Sequence, residues 1–249
     1  MDISVQLYSV RQHLADDPSA TLARLAEIGF TQVEPFGLMD HADMLREQLP
    51  AHGLTAPSSH ASLVEHEDPA SVFATAASLG VRTVIDPYVD REKWDSEGDI
   101  KATADRLNEL AGIAGENGVR VGYHNHDFET RPIFDGRCGL DILADHLDPR
   151  VVLELDTFWS AVGGTDPAEL LGRLGQRVQL LHLKDGPFAG STAEQQPLGK
   201  GDMDVPSVLA AADWIETGVI EFDDYTGDIL EAIAQSYAQL GEYQQGARA

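Results

Sequence analysis

Four apolar runs in the second half of this chain stop at residues able to hold a divalent cation. VRVGYHNH ends in His124 and His126, and VVLELD ends in Asp156 after Glu154. VQLLHLKD ends in His182, Lys184 and Asp185, and GVIEFDD ends in Glu221, Asp223 and Asp224. A single stop of this kind is ordinary, because a polar residue after a strand often caps a helix or bonds a loop. Four in succession carry more weight. Neighbouring strands lie about 4.8 Å apart, so side chains at matching strand ends can converge on one ion. The candidate ligand set is His124, Asp156, His182 and Glu221. Imidazole and carboxylate donors without a thiolate suit Mn, Mg, Co or Zn.

Alternation sorts the neighbours of these residues. His182 lies between Leu181 and Leu183 and so points away from them, and Asp156 alternates with Leu155 in the same way. Glu154 shares the face of Asp156 one layer deeper and reads as a barrel-interior carboxylate. Other apolar runs stop at Glu34 (QVEP), His60 (SSH) and Asp86 (IDPY). His60 is read either as a substrate contact or as a loop histidine. Lys184 is read as holding a substrate oxygen or as pairing with Asp185, and Asp223 or Asp224 as capping the helix that follows. His13, His41, His52, His66 and His146 fall in helices or loops and are expected to be exposed.

The elements needed to position these groups follow a repeated pattern. A helical stretch ends in glycine and a short run rich in Val, Ile and Leu follows, at Gly29, Gly53, Gly80, Gly118, Gly175 and Gly218. Glycine after a helix takes a left-handed conformation that a β-carbon penalises. Adding ISVQL and VVLEL gives eight strand candidates, beginning near Ile3, Gln32, Thr55, Thr83, Arg120, Val151, Val178 and Val219. Segments such as TLARLAEIG, with Leu22, Leu25 and Ile28 on one face, read as the intervening helices. Asp17-Pro18, Asp68-Pro69 and Asp166-Pro167 look like caps with a proline first turn. Eight alternating units predict an α/β fold closed into a (β/α)8 barrel, with residues 1–249 as one domain. An open doubly wound sheet is disfavoured because the turn after the first strand, LYSVRQHL, has no glycine. The long loop 186–204 follows the seventh strand, on the face where barrels place their sites.

Composition bounds the function. The 249 residues are 43% hydrophobic, enough for a large core, and none of the apolar runs nears the roughly 18 residues of a membrane span. The N-terminus lacks the basic and apolar regions of a signal peptide, and the single cysteine, Cys138, forms no intramolecular disulfide. These features predict a cytoplasmic enzyme. The 17 Lys and Arg against 42 Asp and Glu give a net charge of −25. Such a charge argues against nucleic acid and anionic membranes as partners and reads otherwise as an aid to solubility.

At YHNHDFE, LELDTFWSAVGGTDP, LLHLKD, PLGKGDMD and IEFDD the chain resembles the sugar phosphate isomerase/epimerase family, the xylose isomerase-like TIM barrels. It looks closest to the branch near inosose dehydratases and 3-keto-sugar epimerases or lyases, and the resemblance runs from QLYSVR to SYAQL. It implies a bound divalent cation, often Mn, and a small sugar or polyol substrate; enzymes of this kind are often homo-oligomers. Asp156, His182 and Glu221 match the family's ligand positions, whereas His124 stands where many members have Glu. Trp159 stands where many have a second histidine. The reaction expected is isomerisation or epimerisation, by proton abstraction next to a carbonyl through a metal-stabilised enediolate. Glu221, His124 or His126 would carry the proton, and His60, Lys184, Glu34 and Trp159 would contact substrate. The missing glutamate also admits a lyase that eliminates water or an aglycone, and a sugar-binding barrel without catalysis.

Overall fold

The computed structural model describes residues 1–131 and 133–246. Its strands are β1 (Asp2–Val5), β2 (Ser58–His60), β3 (Thr83–Asp86), β4 (Arg120–His124), β5 (Val151–Asp156), β6 (Val178–Leu183) and β7 (Thr217–Ile220). The main helices are α1 (Arg11–Asp16), α2 (Pro18–Ile28), α3 (Leu38–Ala51), α4 (Pro69–Ser78), α5 (Glu97–Glu116), α6 (Gly139–His146), α7 (Thr157–Gly163), α8 (Pro167–Leu174), α9 (Val205–Ala211) and α10 (Ile229–Gly246). All strand pairs are parallel, in the order β1-β7-β6-β5-β4-β3-β2.

The eighth position is filled by residues 31–35. The expected strand near Gln32 is reduced there to two parallel bridges, Gln6 with Glu34 and Gln32 with Thr55. Backbone bonds still close the ring: Leu7 N–H donates to Glu34 O, Glu34 N–H to Val5 O, and His60 N–H to Pro35 O, each at 2.8 Å. The raggedness has a cause in the sequence. Pro35 and Pro57 have no N–H to give the ladder on either side of this gap.

The helices start as their sequences require. Asp17, Asp68 and Asp166 accept hydrogen bonds from the N–H groups of Ala20, Ser71 and Glu169, each with proline in the first turn. Asp204 does the same for α9 through Ser207, ahead of Pro206. Gly80 and Gly118 end their helices at φ +77° and +69°, as the pattern predicts. Gly218 does not: it lies inside β7, where an added β-carbon would come within 2.7 Å of Met1.

Two apolar regions hold the barrel. The larger lies between sheet and helices and includes Leu22, Leu25, Phe73, Leu107, Leu110 and Leu171, all fully buried. Each such leucine contributes about 2 kcal/mol relative to exposure. The smaller is a plug inside the barrel made by Ile85, Val152 and Leu180. Gly122 faces that plug, and a β-carbon there would lie 2.9 Å from Ile85 and 3.4 Å from Val152. Alternation then dictates what lies above the plug. Val152 is followed on the same face by Glu154 and Asp156, Leu180 by His182 and Lys184, and Gly122 by His124. The register puts His124 level with Glu154 and Asp156 level with His182, while Leu183 pairs with Ile220 so that Glu221 follows at the rim. Among the described residues, none of the helices is long and apolar enough to cross a membrane.

Candidate metal centre

The four expected ligands come together. His124, Asp156, His182 and Glu221 are all buried, and each offers one donor atom within 4.8 Å of the others. His182 Nδ1 lies 2.7 Å from Glu221 Oε2, and His124 Nε2 lies 3.8 Å from Asp156 Oδ2. Asp156 is held from behind, its Oδ1 accepting the Trp159 N–H at the start of α7. Asp156 Oδ2 makes no well-directed hydrogen bond although buried, and the nearest cation to it is Lys184 Nζ at 3.0 Å. Two imidazoles and two carboxylates, one with an unspent buried oxygen, fit a borderline divalent cation.

A second layer lies beneath. Glu34 and Glu154, both essentially unexposed, face three histidines. Glu154 Oε2 lies 2.6 Å from His60 Nε2, 3.1 Å from His124 Nδ1 and 3.1 Å from His182 Nε2. Glu34 Oε1 lies 2.8 Å from His182 Nε2 and accepts from Gln6 Nε2 at 3.0 Å, while Ser58 Oγ donates to its other oxygen. His60, His124, Glu154 and His182 therefore form a second cluster with metal-ligand spacing, sharing two histidines with the first.

Electrostatics separates these groups. Burial opposes charge on His60, but Glu34 and Glu154 outweigh it and raise its pKa to about 9. Burial and the charge of His182 hold His124 well below the usual histidine range. Burial and Lys184 push His126 down to about 4, leaving it neutral with Nδ1 unbonded. Burial raises Asp156 to about 6, with Lys184 and His182 offsetting part of that rise. For Glu221 the balance reverses, since Lys184 and His182 overcome burial and keep it ionised.

The remaining expected residues fall into two groups. His60, His124, His126 and Glu221 line a cavity of about 610 Å³ at the strand ends, with Tyr8, Phe36, Tyr88 and Asp223 among its other walls. Glu34, Lys184 and Trp159 do not line it. Glu34 lies underneath, and Trp159 is half-buried, its ring 5.7 Å from Lys184 Nζ. Lys184 is 2% exposed and is held by Asp156, Glu221 at 2.7 Å and Asp223 at 2.8 Å, not by Asp185. Asp185 instead gathers the long loop, accepting N–H bonds from Gly186, Gly199 and Met203. The PLGKGDMD motif serves that turn, because a β-carbon at Gly201 would overlap the backbone nitrogen of Gly186. The expectation that Asp223 or Asp224 caps a helix is corrected. Helix α10 starts only at Ile229, and Asp223 binds Lys184 and Gln195. None of His13, His41, His52, His66 and His146 is buried. The sequence reading missed Gln6, Ser58, Tyr8 and Tyr88. The only signal for Gln6 and Ser58 was a polar residue on an inward-facing strand position.

Comparison with known proteins agrees with the barrel fold. The sequence matches the family described as xylose isomerase-like TIM barrel over residues 22–239, and the chain belongs to that family. It is similar to a solved sugar phosphate isomerase/epimerase from Parabacteroides distasonis, with 25% identity, a TM-score of 0.81, and 96% of this chain and 93% of that one covered. It shares its fold with an IOLI protein that has a bound zinc atom, with 18% identity, a TM-score of 0.73 and 98% of each chain covered. An inosose dehydratase of Geobacillus kaustophilus is 28% identical over 178 residues, 69% of this chain and 54% of that protein. The chain thus spans about half the length of the curated relative it matches.

Proposed function

We propose that this protein is a divalent-metal-dependent enzyme that moves a proton at a carbon next to a carbonyl of a small sugar or keto-polyol. The observation that carries this reading is the convergence of His124, Asp156, His182 and Glu221 within 4.8 Å at the floor of a cavity that His124 and Glu221 line together with His60 and His126. Those four residues would hold the cation. When bound, it supplies Lewis acidity toward adjacent hydroxyl and carbonyl oxygens. The metal expected is Mn, with Zn, Co or Mg accepted by the same donors.

The chain's own groups supply the rest. The neutral His126 lines the cavity and is placed to take a proton, with Glu221 and His124 as alternative carriers. His60, on the same cavity, is placed to hold or return one. Tyr8 and Tyr88, 40% and 47% exposed, give the mouth faces on which a sugar ring can stack. Lys184 holds Glu221 and Asp223 from behind rather than touching substrate.

A dehydratase is the second reading. It is supported by the similarity to inosose dehydratases and by His124 at the position where a glutamate pair would need a carboxylate. Incubation with Mn and a panel of keto-sugars and inososes in D₂O, followed by NMR, separates the readings. Solvent deuterium in the product without loss of water means isomerase or epimerase, and loss of water or an aglycone means lyase. Tight Mn binding with no turnover on the whole panel would sink both and leave a sugar-binding barrel.

A further inference from the structure

His124 and His182 each turn their two ring nitrogens toward opposite layers. On the outer side, His124 Nε2 faces Asp156 and His182 Nδ1 faces Glu221. On the inner side, His124 Nδ1 lies 3.1 Å from Glu154 Oε2, and His182 Nε2 lies 2.8 Å from Glu34 Oε1. A neutral imidazole has one lone pair and one N–H. A ring that gives its outer lone pair to a cation must carry its proton inside, where only an acceptor is useful. Both inner partners are carboxylates, and both are fixed. Glu34 is held by Gln6 and Ser58, and Glu154 faces three imidazoles. Neither lines the cavity, so neither is placed to meet substrate.

We propose that Glu154 and Glu34 are positioning residues that select the Nδ1–H tautomer of His124 and the Nε2–H tautomer of His182, so that both rings present lone pairs to one outer cation. This rests on the reading of His124, Asp156, His182 and Glu221 as the ligand set. It assigns a role to two carboxylates that the ligand set leaves out, and it orders the two overlapping clusters: the outer one binds metal and the inner one aims it. Partners of this kind typically set metal affinity through ligand orientation.

The test uses Zn²⁺ as a diamagnetic probe on the full chain. Zn²⁺ affinity is measured by competition with a chromogenic chelator for wild type and for Glu154→Met, Glu154→Gln and Glu34→Met, each checked for folding by circular dichroism. The expected loss is roughly 10- to 100-fold for the methionine variants, with Glu154→Gln intermediate because its amide oxygen can still accept. Nitrogen-15 spectra of Zn²⁺-loaded wild type are expected to show His124 protonated at Nδ1 and His182 at Nε2, a readout that needs no variant. Affinities within twofold of wild type in the folded variants would overturn the proposal. So would the reversed tautomers, which would place the cation among His60, His124, Glu154 and His182 instead. If wild type binds no Zn²⁺, or Asp156→Asn binds it unchanged, the ligand reading itself fails. If Asp156→Asn loses binding while Glu154→Met does not, only the positioning role is wrong.

Discussion

The two sides of this barrel are built differently. From β4 to β7 the strands run four to six residues in continuous parallel pairing, with one register shift between β5 and β6 at Leu153/Glu154, and all four candidate ligands lie within a residue of their ends. Opposite them, the ring is closed by isolated bridges at residues 32 and 34 and by the three-residue β2. The regular side sets the ligand spacing by backbone register, which side chains cannot easily change. The ragged side contributes Glu34 below and His60 and Phe36 on the cavity wall, held by side chains and single backbone bonds. The candidate ligands thus sit on the half with the longer strands, while the half with more freedom to vary adds supporting and cavity-lining groups, His60 among them.

The contrast can be broken most strongly at the ligands. Asp156→Asn and His182→Ala are each expected to weaken Mn binding by more than about 100-fold, beyond the effect of an orienting partner, as measured by metal titration. Gly122→Val tests the regular side. Its side chain meets Ile85 at 2.9 Å, and overpacking of this kind costs about 1–3 kcal/mol in denaturant unfolding. Tyr88→Ala tests recognition, and is expected to raise KM roughly tenfold, about 1.4 kcal/mol, while metal affinity stays unchanged. The smallest effect is expected on the ragged side. Pro35→Ala should change stability by less than about 1 kcal/mol, because the carbonyl that accepts from the His60 N–H is kept and proline has no N–H bond to lose. A larger loss would mean that the ring depends on the proline.

A pH experiment sharpens the picture within the regular side. Glu129, just past β4, bonds Tyr123 Oη and the His126 N–H. Burial raises its pKa to about 8 against these hydrogen bonds. The folded state then keeps a proton that the unfolded chain has released above the usual carboxylate range. Its contribution to stability is full at low pH and is lost as pH rises through about 8. The expected result is that wild type loses stability between about pH 5 and 8, and that Glu129→Gln flattens this slope in urea titrations. An unchanged slope would assign it to another group.

Much of this was legible in the sequence, for physical reasons. Ligands on long buried strands announce themselves, because a buried imidazole or carboxylate such as His182 or Asp156 is costly at the end of an apolar run unless a charged partner or a cation meets it. Helix starts were equally plain, since Asp-Pro pairs state cap and first turn together. What was hidden depends on contacts between distant segments. Glu34 read as a substrate contact because its place beneath His182, 148 residues away, leaves no local trace. Asp223 read as a cap because its partner Lys184 is 39 residues off. Gly218 looked like a helix end only because helix-ending glycines precede other strands.

One close approach ties parts of the site together. A β-carbon on Gly163 would overlap both Thr130 Oγ1 and the carbonyl oxygen of Asp127, so the end of α7 is pressed against the turn after β4. Thr165 Oγ1 donates to Thr130 O across the same contact. The turn bearing His126 and the helix bearing Trp159 are therefore one packed block. Evolution or a protein engineer can trade this block between barrels as a unit, but exchanging either loop alone would force the other to be rebuilt.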